Sequence, residues 1–579
     1  MASICTSNLT SGFIDLATYD EQEKYMYGGR KATAYFVRET RKSTWFTQVP
    51  VVLSKCSGSP AFGQEWSVQI SRAGDYLLQT WLRVELPEVC VTSGTVAATG
   101  GTAIGCVGVR WTRNLGHALI RECCLTFNDL VAARFDNFHL DFWAAFTTPA
   151  GKQNGYDNMI GNIGELAGLG DVNALPAAVL NVPLPFFYTR DSGVALPTAA
   201  LPYNDMRIQF QFRNLNELLI ADHCQLPQSG VAVAVPQPAA AAGGAAYGEQ
   251  KSVCLDQSTI SSLPDVYGKV LPYLAPRPDN EGTQGTNKVE NPQFGIATGS
   301  EVSSTWKFCN NQEPKLGSVS VWANYAIVSN DERKRMACAP RDILIEQVQT
   351  APPCGFAPKA VTAPEQYDIR FSHAIKVLFF AVRNKTLHCE HANYTTAPAY
   401  PILNCINGAD SGTLITTARS YDPVSQASLL YENTYRLANM GSDFYSLVEP
   451  YYKAPTIPDK TGYHMYSYSL DFFNLDPMGS TNYGKLTNVS LYVNPSAAAV
   501  ENARDPGCNN STGALTANAG FVHTSSCSTP APDQAPGITT DGLQNNVRYC
   551  QAQSYEFVVT AVNNNIVRIS GGALGFPVL

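Results

Sequence analysis

Charge is what this chain has least of. Only 15% of its 579 residues are charged, 40 basic against 48 acidic, for a formal net charge of −8. A field of that sign does not favour phosphate backbones or anionic bilayers, so direct nucleic-acid binding is not expected. Long apolar runs are also missing. No stretch approaches the ~18–20 residues that a membrane helix needs, and the start, MASICTSNLTSGFIDLATYD, has no basic segment followed by an apolar one. From that pattern neither secretion nor membrane insertion is expected. The 16 cysteines show no repeated spacing and no CxxC pair, and disulfide frameworks belong to short secreted chains. Cys123, Cys124 and most of the others are therefore read as small buried residues or loop thiols, and the compartment as reducing.

Signatures of catalysis are absent as well. There is no HExxH and no GxSxG, no carboxylate pair is framed by strand ends, and no Ser, His and Asp are placed so that a triad can be argued. Gly28-Gly29-Arg30-Lys31 lacks the GxxxxGK[ST] spacing of a phosphate loop and reads as a turn with solvated charges. No enzyme and no cofactor are expected. His388-Cys389-Glu390-His391 is the one tight group of metal-capable ligands. Structural zinc takes four converging ligands, so His388, Cys389 and His391 stand as a minor metal candidate against the plainer reading of a polar loop before Asn393-Tyr394-Thr395. The N-x-[ST] matches at Asn8, Asn384, Asn393, Asn488, Asn509 and Asn510 are read as coincidental.

What is present points to strands. The 44 Gly, 36 Pro and 10% aromatic residues suit many short strands joined by turns, an all-β class, and the length implies more than one core. Phe62 to Leu86 shows this most clearly. Trp66, Val68 and Ile70 alternate with Ser67, Gln69 and Ser71, and beyond Ala73-Gly74-Asp75 the residues Leu78, Leu82, Val84 and Leu86 alternate with Gln79, Arg83 and Glu85. Period two predicts two strands with one buried face each, as a β-hairpin or the corner of a β-sandwich. Gly74 is read as giving the connection its permissive backbone and Asp75 as closing it by a local hydrogen bond.

Along the chain, residues 1 to about 40 alternate in neither period and read as an arm that needs another surface. Strands are predicted at Trp45 to Leu53, at His117 to Ile120 with Cys124 to Phe127, at Leu184 to Tyr188, Val194 to Leu201 and Met206 to Phe212, and at Ser318 to Val328. Asp136-Asn137 before Phe138, Phe142, Trp143 and Phe146, with Pro149 beyond, predicts a capped helix followed by a Gly-rich loop. Residues 91–108 and 222–315 read as long loops. Asn330 to Met336 is helix-compatible and marks a hinge. Strands follow at Ile343 to Val348, Leu429 to Asn433, Tyr463 to Phe472, Leu486 to Val493 and Tyr555 to Ile569, with loops at 385–427 and 495–552. Ile369 to Ala374 followed by Val377 to Val382 repeats the strand, corner, strand layout of Val68 to Leu86, which implies two similar β-domains.

Several stretches then carry a family likeness: SGFIDLATYDEQEKYMYGG (11–29), FNDLVAARFDNFHLDFWAAFTTPA (127–150), FYTRDSGVALPTAALPYNDMRI (187–208), WANYAIVSNDERKRM (322–336), RDILIEQVQTAP (341–352), DPMGSTNYGKLTN (476–488) and NNNIVRISGGALGFPVL (563–579). In this order, over nearly the whole length, the chain resembles the major capsid proteins of iridoviruses, those of invertebrate iridescent viruses above all. The resemblance implies a double jelly roll of two eight-stranded antiparallel sandwiches, with a few short helices and long surface loops. It implies an arm at 1–40, a first roll at 41–329 with 222–315 inserted, a connector at 330–341 and a second roll at 342–579. It makes Phe62 to Leu86 the third and fourth strands of the first roll in the usual lettering, C and D, with Ser71, Arg72, Gly74 and Asp75 as a structural corner. A homotrimer of pseudo-hexagonal outline is implied, tiling an icosahedral virion shell assembled in the host cytoplasm. Minor capsid proteins and an internal viral membrane, met through the arm, would be further partners. Loop exchange around the connector and the helix near Trp143 is the expected route to the trimer. The competing readings are a surface module whose loops bind host glycans and a glycoside hydrolase with two carboxylates across a cleft.

Overall fold

The computed structural model describes residues 2–38, 40–93, 96–98, 101–103, 105–168, 174–225, 250–254, 267–269, 305–308, 314–385, 388–396, 421–503 and 553–576. The chain forms two compact units, Met1–Phe46 and Thr47–Leu579. The first contains the helices Ala2–Ala17 and Glu21–Met26, the latter opened by a capping box between Asp20 and Glu23.

In the second unit the alternating segments become strands. The first group is β1 (Phe46–Val52), β2 (Glu65–Gln69), β3 (Tyr76–Leu86), β4 (Ile120–Phe127), β5 (Leu130–Asp136), β6 (Ala178–Pro183), β7 (Met206–Phe212) and β8 (Val319–Val328). One sheet has the order β1-β8-β3-β6, the facing sheet β5-β4-β7-β2, with Ser54–Gly58 added beside β2. The second group is β9 (Arg341–Thr350), β10 (Glu365–Asp368), β11 (Ala374–Asn384), β12 (Val424–Tyr431), β13 (Thr434–Gly441), β14 (His464–Ser467), β15 (Val489–Pro495) and β16 (Tyr555–Ser570). Its sheets run β9-β16-β11-β14 and β10-β15-β12-β13. Moving each label of the first group on by eight gives the second group in the same spatial order. Both are jelly rolls, and each buries its own inner faces, Leu82, Val84, Ile208 and Val321 in one and Leu378, Phe380, Leu429 and Leu491 in the other.

Local chemistry repeats with the topology. The β4–β5 hairpin turns at Asn128-Asp129, φ 48° and 66°, and the β12–β13 hairpin at Glu432-Asn433, φ 47° and 64°. Two successive positive φ values match the twist of flanking strands in a two-residue hairpin. The predicted helix is present as Asn137–Thr147, capped by the Asp136 side chain, which accepts from the His139 amide at 2.9 Å.

Several local expectations fail. The described residues of 91–108, read as a loop, belong to strands Val89–Ser93, Val96–Ala98, Gly101–Ala103 and Gly105–Trp111. Gly105–Trp111 pairs with Leu219–Gln225, and Val89–Ser93 with Thr305–Phe308; these partners are too distant in sequence for any local pattern to show them. Strands Gln250–Cys254 and Tyr267–Lys269 fall inside 222–315, and most of that stretch lies outside the described residues, as do most of 385–427 and 495–552. Proline replaces two predicted strands by 3-10 turns, Phe187–Thr189 after Pro185 and Thr198–Ala200 after Pro197. Leu115–Leu119 is helical ahead of β4, and the expected Gly-rich loop contains the helix Ala150–Ile160.

Candidate functional site

The corner between β2 and β3 is no hairpin: the chain leaves one sheet and enters the facing one, β2 pairing with β7 and β3 with β8. Each corner residue is held. Arg72 donates to the carbonyls of Leu201 (Nε, 3.1 Å) and Asn204 (Nη2, 2.6 Å), and the Tyr325 hydroxyl on β8 donates to the Ser71 carbonyl at 2.6 Å. Asp75 is buried; its carboxylate accepts Arg333 Nε at 2.7 Å and Nη2 at 2.9 Å, and the Val328 amide at 2.9 Å. Burial pushes its pKa up, but the Arg333 guanidinium and that amide outweigh it and hold the carboxyl below its ordinary value. Arg333 lies on the connector helix Asn330–Cys338, so the corner fixes the connector. Gly74 is not in the left-handed region; a Cβ there would stand 2.6 Å from Tyr325 Cβ. The expected need for backbone freedom is thus replaced by a need for close approach.

A second constellation fills the seam between the sandwiches. Glu390, wholly buried, takes Arg110 Nη1 at 3.2 Å and Arg113 Nε at 3.3 Å from the chain around the first sandwich. Burial alone would raise its pKa; the two arginines win and lower it. His391 is buried beside it, with Nδ1 accepting from Arg383 at 3.3 Å and Nε2 donating to the Glu217 carbonyl at 2.9 Å. Burial, then Arg213 and Arg383, push this imidazole well down, so it is neutral. Asp141 gathers Asn114 (2.9 Å), His117 (2.7 Å) and, from the second sandwich, the Tyr394 hydroxyl (2.8 Å). Arg190 pairs with Glu346 at 2.8 Å, and Glu346 also takes Lys376 at 2.6 Å. Between these polar clusters Phe138, Phe142 and Phe146 of the helix Asn137–Thr147 pack on Val377, Phe379 and Met465.

These placements bear on the metal candidates and on the cysteines. His388 is exposed, Cys389 is disulfide-bonded and both His391 ring nitrogens are hydrogen-bonded, so the three metal candidates do not converge on a common point. Among the described residues no group of three or more His, Cys, Asp or Glu could hold a metal ion. The cysteines are not uniformly thiols: Cys90 and Cys389 are in disulfides, while Cys56, Cys123, Cys124 and Cys354 are free. Spacing along the chain cannot reveal pairing through space. Within the chain the aromatic face of the helix near Trp143 packs on the second sandwich, and the connector's Arg333 pairs with Asp75. Glu390 was the residue sequence reasoning missed; its position beside Cys389 drew attention to metal chemistry, while its arginine partners lie 280 and 277 residues earlier.

Two antiparallel jelly rolls in one compact unit, welded by buried ion pairs and an aromatic helix, define a double jelly-roll protein. Solved structures share that architecture. The PBCV-1 virus capsid aligns with a TM-score of 0.59 and 18% identity, covering 94% of this chain and 100% of that one. The Faustovirus major capsid protein aligns with 0.55 and 11%, covering 93% of each. Residues 34–247 match the family described as major capsid protein N-terminus, and 332–529 that described as large eukaryotic DNA virus major capsid protein. Major capsid proteins of Costelytra zealandica iridescent virus, Invertebrate iridescent virus 6 and Lymphocystis disease virus 1 are 51%, 49% and 41% identical, each alignment covering 100% of both chains. The chain belongs to the major capsid protein family of large eukaryotic DNA viruses, in its iridovirus branch.

Proposed function

We propose that three copies of this capsid subunit close into a capsomer of pseudo-hexagonal outline that tiles an icosahedral virion shell. The observation that carries this is the repeated strand order: two like sandwiches per chain give a trimer six similar walls, which suits a near-hexagonal lattice site. The role is structural and calls for no catalysis. We divide the chain into an arm at 1–40, a first roll at 41–329, a connector at 330–341 and a second roll at 342–579. Ser71, Arg72, Gly74 and Asp75 act as fold determinants at the corner. Minor capsid proteins and an internal viral membrane are the partners assigned to the arm, whose Phe13, Ile14 and Leu16 are exposed within its own unit, and assembly takes place in the host cytoplasm. Light scattering at assembly concentration tests the capsomer: a mass near three times the 62.7 kDa chain is expected. A persistent monomer would remove the reading. Electron microscopy of the same preparation should show flat trimers and hexagonal arrays.

A further inference from the structure

The outer faces of the two rolls are equivalent in position but not in use. Strands β3 and β11 each have 11 residues and follow the corner, so Gln79, Trp81 and Arg83 stand where Val377, Phe379 and Ala381 stand in the second roll. Cross-strand registers agree, since Trp81 lies opposite Trp322 on β8 and Phe379 opposite Thr560 on β16. In the second roll this face is covered. Phe379 stacks on Phe142 at 6.1 Å and on Phe146 at 5.3 Å, and Val377, Ala381, Val558 and Val562 complete the buried cluster. The cover is the helix that leads from β5 to β6.

In the first roll Trp81 and Trp322 stack on each other at 6.3 Å and remain half-buried. Trp81 borders a groove of about 650 Å³ lined also by Trp143, Pro183, Arg190 and Phe473. The groove continues the seam between the rolls, because the Arg190 guanidinium lies 4.6 Å from the Trp143 ring and 4.5 Å from that of Phe473. The second roll's counterpart of the covering helix is the helical segment Phe444–Lys453, between β13 and β14. It anchors Tyr445 in its own roll, yet leaves Val448, Tyr451 and Tyr452 at 43%, 68% and 75% exposure. Among the described residues each chain therefore carries one aromatic cover that is exposed and one aromatic face that is only half-buried.

We propose that Val448, Tyr451 and Tyr452 of one copy cover the Trp81–Trp322 face of the next copy, repeating between chains the contact that Phe138, Phe142 and Phe146 make within one. The proposal rests on the trimer reading and adds its geometry. The two surfaces differ, so the contact is heterologous and is satisfied for every copy only when the ring closes. Tyr and Trp are the side chains on which interface energy concentrates.

The test uses the full chain, with mass by light scattering and fold by circular dichroism. Tyr451→Glu/Tyr452→Glu should fall from three chains to one with an unchanged spectrum, and so should Trp81→Arg; if Trp81→Arg misfolds, Gln79→Arg probes the same face. An equimolar mixture of the cover variant and the face variant retains one good contact, so it should run at two chains and never three. A trimeric wild type whose variants stay trimeric overturns this contact and leaves the trimer reading intact. A monomeric wild type removes both.

Discussion

The two corners do the same topological job with different chemistry. In the first, Asp75 is charged, buried and paired with Arg333 of the connector. In the second, Ser372 is clamped by the neutral side chain of Gln349 on β9, whose Oε1 accepts the Ser372 amide at 2.8 Å while its Nε2 donates to the Ser372 carbonyl at 2.7 Å. The first corner needs room for Tyr325 beside Gly74; the second places His373 at φ 64°. One strand order is thus compatible with two different ways of holding the corner between the strands.

The contrast can be broken most severely at Gly74. Valine there would drive its Cβ into Tyr325 at 2.6 Å, inside the β3–β8 ladder, and overpacking of this kind costs about 1–3 kcal/mol or more. Gly74→Val should abolish soluble trimer. Recovery of soluble trimer with an unchanged melting temperature would show that the ring of Tyr325 yields.

Next comes the charge. Asp75→Asn keeps the shape but weakens hydrogen bonds to a charged group, each of which is worth about 1.5–3 kcal/mol. Gln349→Ala in the second corner removes neutral bonds at an exposed edge and should cost about 0.5–1.5 kcal/mol. Denaturant midpoints would rank them. Acid separates the two corners further. The Asp75 pKa is lowered in the fold, so its stabilisation is complete above the ordinary value of 3.8 and is lost as pH falls through the folded value. Wild type and Gln349→Ala should share that loss on acidification, and Asp75→Asn should lack its part of it. Parallel pH profiles for all three would contradict the assignment.

How much of this was legible depended on where the partner residues lie. The strands of Phe62 to Leu86 could be read because Leu82, Val84 and Leu86 face one core; the reason for Gly74 could not, because Tyr325 is on β8. The second corner was legible as a layout but misplaced in detail. Ile369 and Phe371 read as strand because they are apolar and buried, yet the ladder ends at Asp368. The pairing of 91–93 and of Gly105–Trp111 with strands beyond residue 218, and the capture of Glu390 by two distant arginines, are contacts between far parts of the chain that no local period encodes. The strand order itself came from the family likeness, since alternation marks a strand without naming its neighbour.

The smallest effect is expected at His373. A non-glycine residue at φ 64° pays a local steric cost of order 1 kcal/mol that glycine escapes, while glycine loses about 0.5–1 kcal/mol through the greater freedom of its unfolded chain. The backbone bond from the Tyr483 amide to the His373 carbonyl, 3.1 Å, does not depend on the side chain. His373→Gly should therefore shift stability by no more than about 1 kcal/mol, in the stabilising direction, read as a small rise in denaturant midpoint at neutral pH. A clear fall would mean that the half-buried ring contributes packing to the second corner, and that the two corners are more alike in their dependence on side chains than their hydrogen bonds imply.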